Sequence, residues 1–284
     1  MLMEFVIGRT EVSQRTSSVR NFLKTALAVI SFIFARSARI FLRTSEVIVI
    51  MYHAIDHSGW KLSVTPEEFE RQIRYLAQKG WAVPLNAVVA HAKGSKTLPA
   101  HAVAVTFDDG YRDLLTTVLP VLERYGIPAT VFIPSDLSVQ TDLSGRARLT
   151  EEEVRMLATS PLITLGSHAR VHRKFTGLSF EEMLNESETS ALELEKMSGK
   201  RPSFFAYPFG ARSPGAERAV ERTGYDAAFG ITEGTIRRGD NLFALRRVQV
   251  DGTMNFFLFR LRLTSAIDWN RRIVDFLRKM NRYA

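Results

Sequence analysis

The sequence of 284 residues contains no cysteine. That absence excludes a disulfide framework, a thiolate zinc site and a cysteine nucleophile. Any metal ion must therefore be bound by histidine, aspartate and glutamate side chains, and the chain has six histidines. The cellular compartment stays open, because an exported protein does not need cysteine.

An apolar run long enough to span a bilayer is also missing near the amino terminus. The stretch TALAVISFIFA at 25–35 has eleven uncharged residues, whereas a membrane-spanning helix needs about 20. Its length fits the hydrophobic region of a signal peptide, but the arginines that follow are a poor context for cleavage. We favour an interfacial helix whose arginines reach anionic headgroups.

Basic residues are concentrated at the two ends of the chain, which has a formal net charge of +8. Residues 1–45 and 256–284 each carry seven lysines and arginines against two acidic residues, whereas 46–255 carries 24 basic and 26 acidic residues. A mildly acidic central region argues against a nucleic-acid partner. The sequence therefore predicts a membrane-associating segment over 1–45, a central domain over 46–255 and a basic amphipathic helix over 256–284. Packing of that last helix on the core is an open alternative to contact with an anionic membrane surface.

Short β-branched runs alternate with helical patterns after residue 46, which predicts βα units around a parallel sheet. The early runs VIVIMY and AVAVTF are almost continuously apolar, as is typical of strands buried on both faces. The candidate strands are Val47–Tyr52, Ala102–Phe107, Ala129–Ile133, Leu162–Ser167, Phe204–Tyr207, Ala227–Ile231 and Leu245–Val250. Seven strands with helices between them predict one barrel-like α/β domain.

Helix boundaries are marked by capping residues. Three segments have a Ser or Thr followed three residues later by Glu, which is the pattern of a capping box: Thr65–Glu68, Thr150–Glu153 and Ser179–Glu182. Glycine stops are expected at Gly80, Gly126 and Gly224.

Side chains suited to catalysis follow four of the predicted strands. They are Asp108-Asp109-Gly110, His168 with His172 four residues later, Pro208-Phe209-Gly210, and His53. Each has a structural explanation when taken singly, since Asp-Gly and Pro-Phe-Gly form turns and a lone histidine is often a buried polar residue. Because the carboxyl ends of barrel strands meet at one face, their coincidence there predicts an active site.

This set of residues fits the hydrolysis of an amide. One carboxylate and two imidazoles form an open three-ligand site for Zn²⁺ or a similar divalent ion. Such an ion lowers the pKa of a water molecule to about 7, and the second carboxylate can accept its proton as a general base. A histidine on the far side could protonate the departing nitrogen, and a backbone N–H of the Pro208-Phe209-Gly210 turn could bind the oxyanion.

Two of these motifs resemble the polysaccharide deacetylases, family four of the carbohydrate esterases, which include the nodulation-type chitooligosaccharide deacetylases. They are Thr106-Phe107-Asp108-Asp109-Gly110 and Ser167-His168-Ala169-Arg170-Val171-His172. Met51-Tyr52-His53, the helix Pro66–Gly80 and Phe205–Gly210 further resemble the branch that acts on poly-N-acetylglucosamine and related exopolysaccharides. The resemblance covers roughly 47–250 and implies a distorted seven-stranded (β/α) barrel.

The resemblance also implies roles for individual residues. Asp108 would be the general base, Asp109, His168 and His172 would bind the metal, and the backbone N–H around Phe209 would stabilise the oxyanion. Separately from the resemblance, Tyr111, Tyr207, Pro208 and Gly210 are candidate substrate contacts. Tyr111, Trp60 and Trp269 are aromatic candidates for stacking on a sugar, and packing in the core is the alternative for each of them.

The chain departs from the family pattern at three places. His168-Ala169-Arg170-Val171-His172-Arg173 keeps the ligand spacing of the usual His-[Ser/Thr]-x-x-His-Pro but changes the residues around it. Ala206-Tyr207-Pro208-Phe209 lacks the arginine of the usual Arg-x-Pro-Tyr, so Arg246 or Arg247 is expected to orient the base. The late Leu-x-His motif, which supplies the general acid, is replaced by Ala244–Arg247, and His53 is the expected substitute.

The sequence therefore favours a metal-dependent hydrolase that removes N-acetyl groups from the amino sugars of a cell-envelope or exported polysaccharide. It is expected to work at a membrane surface of the bacterial envelope, on a side that the sequence does not define. Two alternatives stay open: a deacylase of a lipid-linked sugar, and a glycan-binding module of the same fold with impaired catalysis.

Overall fold

The computed structural model describes residues 46–142 and 145–269, together with Ala26, Val29, Ile30, Arg271 and Ile273. The chain divides into two compact units, one of 44–256 and one of 1–43 with 257–284. In the described residues, no helix has the length and apolar character needed to cross a membrane. Most residues of the two segments predicted to associate with a membrane, 1–45 and 256–284, lie outside the described residues.

The larger unit is built on a parallel sheet. Its strands are β1 (Glu46–Tyr52), β4 (His101–Phe107), β5 (Ala129–Ile133), β6 (Ile163–Ser167), β7 (Phe204–Ala206), β8 (Ala227–Phe229) and β9 (Val248–Gln249). They lie in the order β8-β7-β6-β5-β4-β1-β9, and every pairing is parallel. A separate parallel pair consists of β2 (Ala54–Ile55) and β3 (Ser63–Val64).

One short segment joins the two edges of this sheet. Leu245 forms a parallel bridge with Phe229 of β8, while Val248 and Gln249 pair with β1 on the opposite edge. The segment that begins at Leu245 and continues as β9 therefore contacts both β8 and β1, and the sheet curls to bring these two strands together. This arrangement confirms the predicted distorted seven-stranded α/β barrel.

The central strands are apolar on both faces because both faces are covered. All seven residues of β1 are buried. Val47 and Val49 pack in one cluster with Phe132, Phe229 and other residues of the barrel. The alternate residues of β1 are equally inaccessible to solvent, which explains the continuous run VIVIMY.

Helices connect most of the strands. They are α1 (Pro66–Lys79), α2 (Leu85–Ala92), α3 (Leu119–Tyr125), α4 (Glu151–Thr159), α5 (Phe180–Ser198), α6 (Pro214–Arg222) and α7 (Phe256–Arg262). Complete capping boxes begin α4 and α5 at Thr150 and Ser179, as predicted. At α1 the predicted box is only half formed, because the Thr65 hydroxyl accepts from Glu68 N–H and no return bond is made.

Glycines with left-handed backbone end α1 and α3 at Gly80 and Gly126, which confirms those two stops. Gly224 follows Thr223, the residue that caps α6. The sequence did not predict α2 or the π-helical turn Leu114–Val118 that leads into α3. The residue before α2 is a proline and makes no side-chain cap, so this helix lacks the start signal that marks α4 and α5.

Candidate active site

Three residues with left-handed backbone lie just beyond the carboxyl ends of three strands of the sheet. Asp109, Ala169 and Phe209 have φ values of 71°, 63° and 57°, and no other non-glycine residue of the described chain has a positive φ. They follow β4, β6 and β7. This conformation costs a residue with a Cβ atom about 1–2 kcal/mol, and such strain collects at functional sites. The backbone itself therefore distinguishes this end of the barrel.

The predicted metal ligands converge at this end. His168 Nε2 lies 3.4 Å from Asp109 Oδ1, and His172 Nε2 lies 3.2 Å from the same oxygen. All three potential ligand atoms lie within 4.8 Å of one another. Asp109 and His168 are buried, and His172 is partly buried. One carboxylate and two imidazoles in this arrangement form a possible metal site.

The surrounding contacts suit a metal ligand set. His168 Nδ1 lies 2.8 Å from Ala206 O, so donation of the Nδ1 proton to this carbonyl leaves the Nε2 lone pair directed at Asp109. The Tyr111 hydroxyl lies 3.1 Å from Asp109 Oδ2 and 3.0 Å from Asp142 Oδ2, and it can donate to either. Asp109 Oδ1, by contrast, is buried without a hydrogen-bond partner. A cation would supply the missing partner, so the donor set fits one.

The ionisation of Asp109 agrees with this fit. Burial raises the pKa of its carboxyl, but the close imidazoles of His168 and His172, together with His53, outweigh burial and hold the pKa well below its ordinary value. The carboxylate is therefore ionised at neutral pH, as metal binding requires.

The second aspartate, Asp108, forms a buried ion pair with Arg247. Arg247 Nη1 donates to Asp108 Oδ1 over 2.6 Å and Nη2 donates to Oδ2 over 2.8 Å. Burial raises the pKa of the Asp108 carboxyl, but the charge of Arg247 more than offsets burial, so the pKa lies below its ordinary value. The Arg247 side chain is 0% exposed, and its Nε donates to Gly230 O over 3.1 Å.

Arg246 and Arg247, the two candidates for orienting the predicted base, have different partners in the structure. Arg247 contacts Asp108, whereas the Arg246 guanidinium donates to Thr235 O over 2.8 Å and to Asp240 Oδ2 over 3.0 Å. Arg246 does not line the cavity beside the metal ligands. Neighbouring residues of an extended segment point to opposite sides, which explains the difference.

His53 follows β1 and lies beside the two aspartates. Burial lowers the pKa of its imidazole, and the negative charges of Asp108 and Asp109 act against burial. His53 Nδ1 is buried without a hydrogen-bond partner, and its ring meets the edge of Trp60 at a centroid distance of 6.2 Å. The imidazole therefore keeps a free nitrogen close to the site.

The Pro208-Phe209-Gly210 segment forms a single 3₁₀ turn after β7. Gly210 N–H donates to Tyr207 O over 2.8 Å, whereas Phe209 N–H has no acceptor among the hydrogen bonds of the described residues. The Phe209 side chain is 53% exposed, and its ring centroid lies 4.4 Å from that of His172. A free N–H beside a predicted metal ligand can bind an oxygen that gains negative charge.

A cavity of about 710 Å³ opens over these groups, within the size range of small-molecule sites. It is lined by His53, Asp108, Asp109, His168, His172 and Phe209, and by the candidate substrate contacts Tyr111, Trp60, Tyr207 and Gly210. Four of its lining residues are exposed large apolar side chains: Val139, Val171, Phe209 and Ile231. The candidate catalytic groups thus share the cavity with these four exposed apolar side chains, which form its apolar rim.

Three candidate substrate residues are placed differently from the others. The Tyr207 hydroxyl points into the protein and donates to Phe243 O over 3.1 Å, so only other parts of this residue face the cavity. Pro208 is buried and does not line the cavity, and Trp269 is also absent from its lining.

Several cavity residues were not anticipated from the sequence: Val139, Asp142, Arg148, Val171, Ile231 and Gln249. Val139, Asp142 and Arg148 lie between β5 and α4, in a stretch without a recognisable motif. Val171 lies between the two predicted ligands, His168 and His172, so its place in this motif could have indicated that it lies near the site.

Comparison with known proteins agrees with this fold. The family model described as polysaccharide deacetylase matches residues 95–228. YxkH of Bacillus subtilis is 29% identical over 215 residues, covering 75% of this chain and 74% of that protein. The poly-beta-1,6-N-acetyl-D-glucosamine N-deacetylase of Escherichia coli is 26% identical over 228 residues, covering 66% of this chain and 34% of that protein. The structure of IcaB from Ammonifex degensii superposes with a TM-score of 0.69 at 22% identity, covering 79% of this chain and 97% of that one.

The shared fold and the matched relatives define a hydrolase that acts on carbon–nitrogen bonds other than peptide bonds. Over residues 95–228 the chain is similar to the polysaccharide deacetylases, carbohydrate esterase family four, and its curated relatives include an exopolysaccharide deacetylase.

Proposed function

We propose that the protein removes N-acetyl groups from amino sugars of a cell-envelope or exported polysaccharide, with a divalent metal ion as cofactor. The observation that carries the proposal is the convergence of Asp109, His168 and His172 beside the Asp108–Arg247 pair. We propose Zn²⁺ as the ion, because the ligands are two imidazoles and one carboxylate. Bound at these three residues, it supplies Lewis acidity that lowers the pKa of water and polarises the acetyl carbonyl.

Asp108 is the proposed acceptor of the proton lost by the attacking water. The carboxyl pKa lies below its ordinary value, so the group is ionised and able to accept a proton at neutral pH. Arg247 binds both carboxylate oxygens and thereby fixes the plane of the carboxylate. Each oxygen keeps a further lone pair for the water.

Phe209 N–H is the proposed donor to the carbonyl oxygen of the acetyl group as that oxygen gains negative charge. His53 is the proposed acid that protonates the departing nitrogen, because its imidazole lines the cavity beside the aspartates with an unpartnered Nδ1. A bond forms between the water oxygen and the carbonyl carbon, the carbon–nitrogen bond breaks, and the products are acetate and a free amine.

The experiment measures acetate release from oligomers of N-acetylglucosamine. Asp108→Asn is expected to lower kcat about 10²- to 10⁴-fold, the usual contribution of a general base, and a chelator is expected to abolish activity until Zn²⁺ is restored. The matched control is Asp226→Asn, since Asp226 forms a surface ion pair with Lys93. Equal acetate release by the wild type and Asp108→Asn would contradict the proposal, and metal-independent activity would contradict the cofactor.

The apolar rim of the cavity favours a second candidate, a deacylase of a lipid-linked sugar. Val139, Val171 and Ile231 expose apolar surface around the catalytic groups, and burial of such surface strengthens the binding of an apolar substituent. A soluble oligosaccharide and the same oligosaccharide on a polyprenyl carrier would be compared at equal concentration. A preference of tenfold or more for the carrier-linked form would support the second candidate.

Membrane association through residues 1–45 and 256–284 is proposed on charge and apolar content alone. Removal of residues 1–45 is expected to reduce pelleting with anionic vesicles and to leave metal binding intact. Unchanged pelleting would contradict a membrane role for this segment.

A further inference from the structure

Arg148 lies on a hairpin-like segment at the edge of the active-site cavity. Its backbone N–H donates to Gln140 O over 2.8 Å, and it forms an antiparallel bridge with Tyr111, two residues after the metal-ligand candidate Asp109. The half-buried side chain lines the same cavity as the catalytic groups. The position of Arg148 is thus fixed by the backbone that carries Asp109.

The guanidinium of Arg148 is not paired with any residue of the described chain. Its Nε is buried without a hydrogen-bond partner, and none of the ion pairs of the described residues includes Arg148. The two other arginines near the site are paired: Arg247 binds Asp108, and Arg146 donates to Ser58 Oγ over 2.7 Å and lies 3.4 Å from Asp56 Oδ2. Among the arginines of the described residues near the cavity, Arg148 therefore has N–H donors available for a bound molecule.

Asp142 on the same hairpin does not satisfy Arg148. Asp142 Oδ1 accepts from Arg146 N–H over 2.9 Å, and Oδ2 lies 3.0 Å from the Tyr111 hydroxyl. Residues 46–255 carry more acidic than basic side chains, so potential partners are plentiful in this domain. A buried donor without an acceptor costs stability, and a guanidinium facing a cavity is complementary to a carboxylate or a phosphate.

We propose that Arg148 forms an anion subsite beside the catalytic centre and that the preferred substrate is an acidic glycan. The N-acetylated amino sugar then carries a carboxylate or a phosphate, or is joined to a sugar that does. Both anions present oxygen atoms that match the fork of the guanidinium. The subsite deepens the proposed deacetylation and rests on it.

The test compares three tetrasaccharides of N-acetylglucosamine: a neutral one, one in which alternate sugars carry a lactyl carboxylate, and one with a single 6-phosphate. The full-length zinc-loaded wild type is expected to have a kcat/KM at least tenfold higher for one of the anionic tetramers. Which tetramer is preferred distinguishes carboxylate from phosphate. Raising the salt concentration is expected to reduce the preference through KM.

Arg148→Gln is expected to lower the ratio of anionic to neutral kcat/KM about 10- to 100-fold, the usual loss for a hydrogen bond between charged groups. Arg148→Lys keeps the charge without the fork and is expected to recover part of the ratio. The matched control is Arg112→Gln, because Arg112 is exposed, pairs with Glu153 and does not line the cavity. Equal kcat/KM for all three tetramers, or an equal effect of Arg148→Gln on each of them, would overturn the subsite.

Binding separates the failure of this inference from the failure of the proposed function. Calorimetric titration of the Asp108→Asn protein is expected to give a Kd at least tenfold lower for the preferred anionic tetramer, and Arg148→Gln in that background is expected to remove the difference. If this binding result holds and the wild type releases no acetate, the subsite stands and the deacetylation falls. If the wild type releases acetate without any anionic preference, the deacetylation stands and the subsite falls.

Discussion

Ionisable side chains lie at both ends of the neighbouring strands β1 and β4. Their surroundings differ between the amino ends and the carboxyl ends of these strands. At the amino ends, Glu46 and His101 are partners in register, and His101 Nδ1 lies 2.8 Å from Glu46 Oε2. The His101 ring also stacks on Trp81 at a centroid distance of 4.5 Å. At the carboxyl ends, His53 and Asp109 both line the cavity, and His53 Nδ1 is buried without a hydrogen-bond partner.

The backbone shows the same contrast. Left-handed non-glycine residues follow the carboxyl ends of β4, β6 and β7, and within the described ranges this conformation is confined to them. Strain and unpaired polar atoms both cost stability, so a fold retains them where they serve binding or chemistry. This contrast fits a structural role for the amino ends and the proposed catalytic role for the carboxyl ends.

The largest effect is expected from Arg247→Gln, because this change leaves Asp108 as an unpaired buried charge. Loss of one partner of a buried ion pair costs about 3–5 kcal/mol of unfolding free energy. In the wild type the Asp108 pKa is held below its ordinary value, so its stabilising contribution is present above the unfolded pKa of about 3.9 and is lost as the pH falls through the folded pKa. Without Arg247, burial raises the pKa of the Asp108 carboxyl above its unfolded value. The ionised carboxylate then destabilises the folded protein, and this destabilisation grows as the pH rises.

Two measurements test this reversal. Urea unfolding of Arg247→Gln is expected to show the protein becoming less stable as the pH rises from 5 to 8, and the acidic limb of the kcat profile is expected to move to higher pH. Arg247→Lys keeps the charge but not the paired hydrogen bonds, so it should lie between the wild type and Arg247→Gln. Identical pH profiles for the wild type and Arg247→Gln would show that the pair does not control the base.

The turn that presents Phe209 N–H gives the next largest effect. Gly210 has a φ of 64°, and a Cβ atom there would lie 2.3 Å from Ile231 Cγ1. Gly210→Ala is therefore expected to cost about 1–3 kcal/mol of unfolding free energy and to lower kcat by displacing the turn. Gly177→Ala is the matched control, because a Cβ at Gly177 has nothing within 4 Å. Equal kcat values for the two variants would contradict a role for the turn.

At the amino ends, Glu46→Gln is expected to separate stability from activity. The change removes the negative partner of His101, and loss of a hydrogen bond to a charged group costs about 1–3 kcal/mol. Because the pair lies at the end of the barrel remote from the cavity, acetate release per folded molecule should not change. A fall in kcat comparable to that of Gly210→Ala would break the contrast between the two ends.

The smallest effect concerns Asp113, shortly after the carboxyl end of β4. Burial raises the pKa of its carboxyl to about 6, although Ile55 N–H donates to it, and the negative charge of Asp56 adds to the rise. Stability from the protonated form is present below the unfolded pKa of about 3.9 and is lost as the pH rises through about 6. Asp113→Asn is therefore expected to stabilise the protein by about 1 kcal/mol at pH 8 and very little at pH 4. Equal effects in urea unfolding at the two pH values would contradict this interpretation.

The sequence predicted most of the sheet because the information is local. Buried strands appear as apolar runs, and the Ser/Thr-x-x-Glu pattern began α4 and α5 at Thr150 and Ser179. At Thr65 the same pattern formed only half of its hydrogen bonds. The apolar helix α2 was missed, because it is largely buried and follows a proline that makes no side-chain cap.

The sequence predicted the site residues that belong to motifs. It did not predict those that depend on which side of a segment a side chain faces. Asp108, Asp109, His168 and His172 directly follow strands, so their convergence could be expected from the topology. The choice between Arg246 and Arg247 could not be made, because neighbouring residues in an extended segment face opposite sides. Arg148 carries no sequence signal, because only the hairpin geometry brings it into the cavity.

The segment that joins the barrel's two edges has a consequence for how the enzyme matures. Arg247 and Asp108 are 139 residues apart in the chain, and closing a loop of that length carries a substantial entropy cost. During synthesis on the ribosome both aspartates and both histidines emerge before Arg247. Docking of this segment against β8 and β1 also brings Arg247 to the Asp108 carboxylate, so the buried ion pair forms only when the sheet has closed. If Asp108 acts as the proposed base, activity is expected only after folding of the sheet is complete.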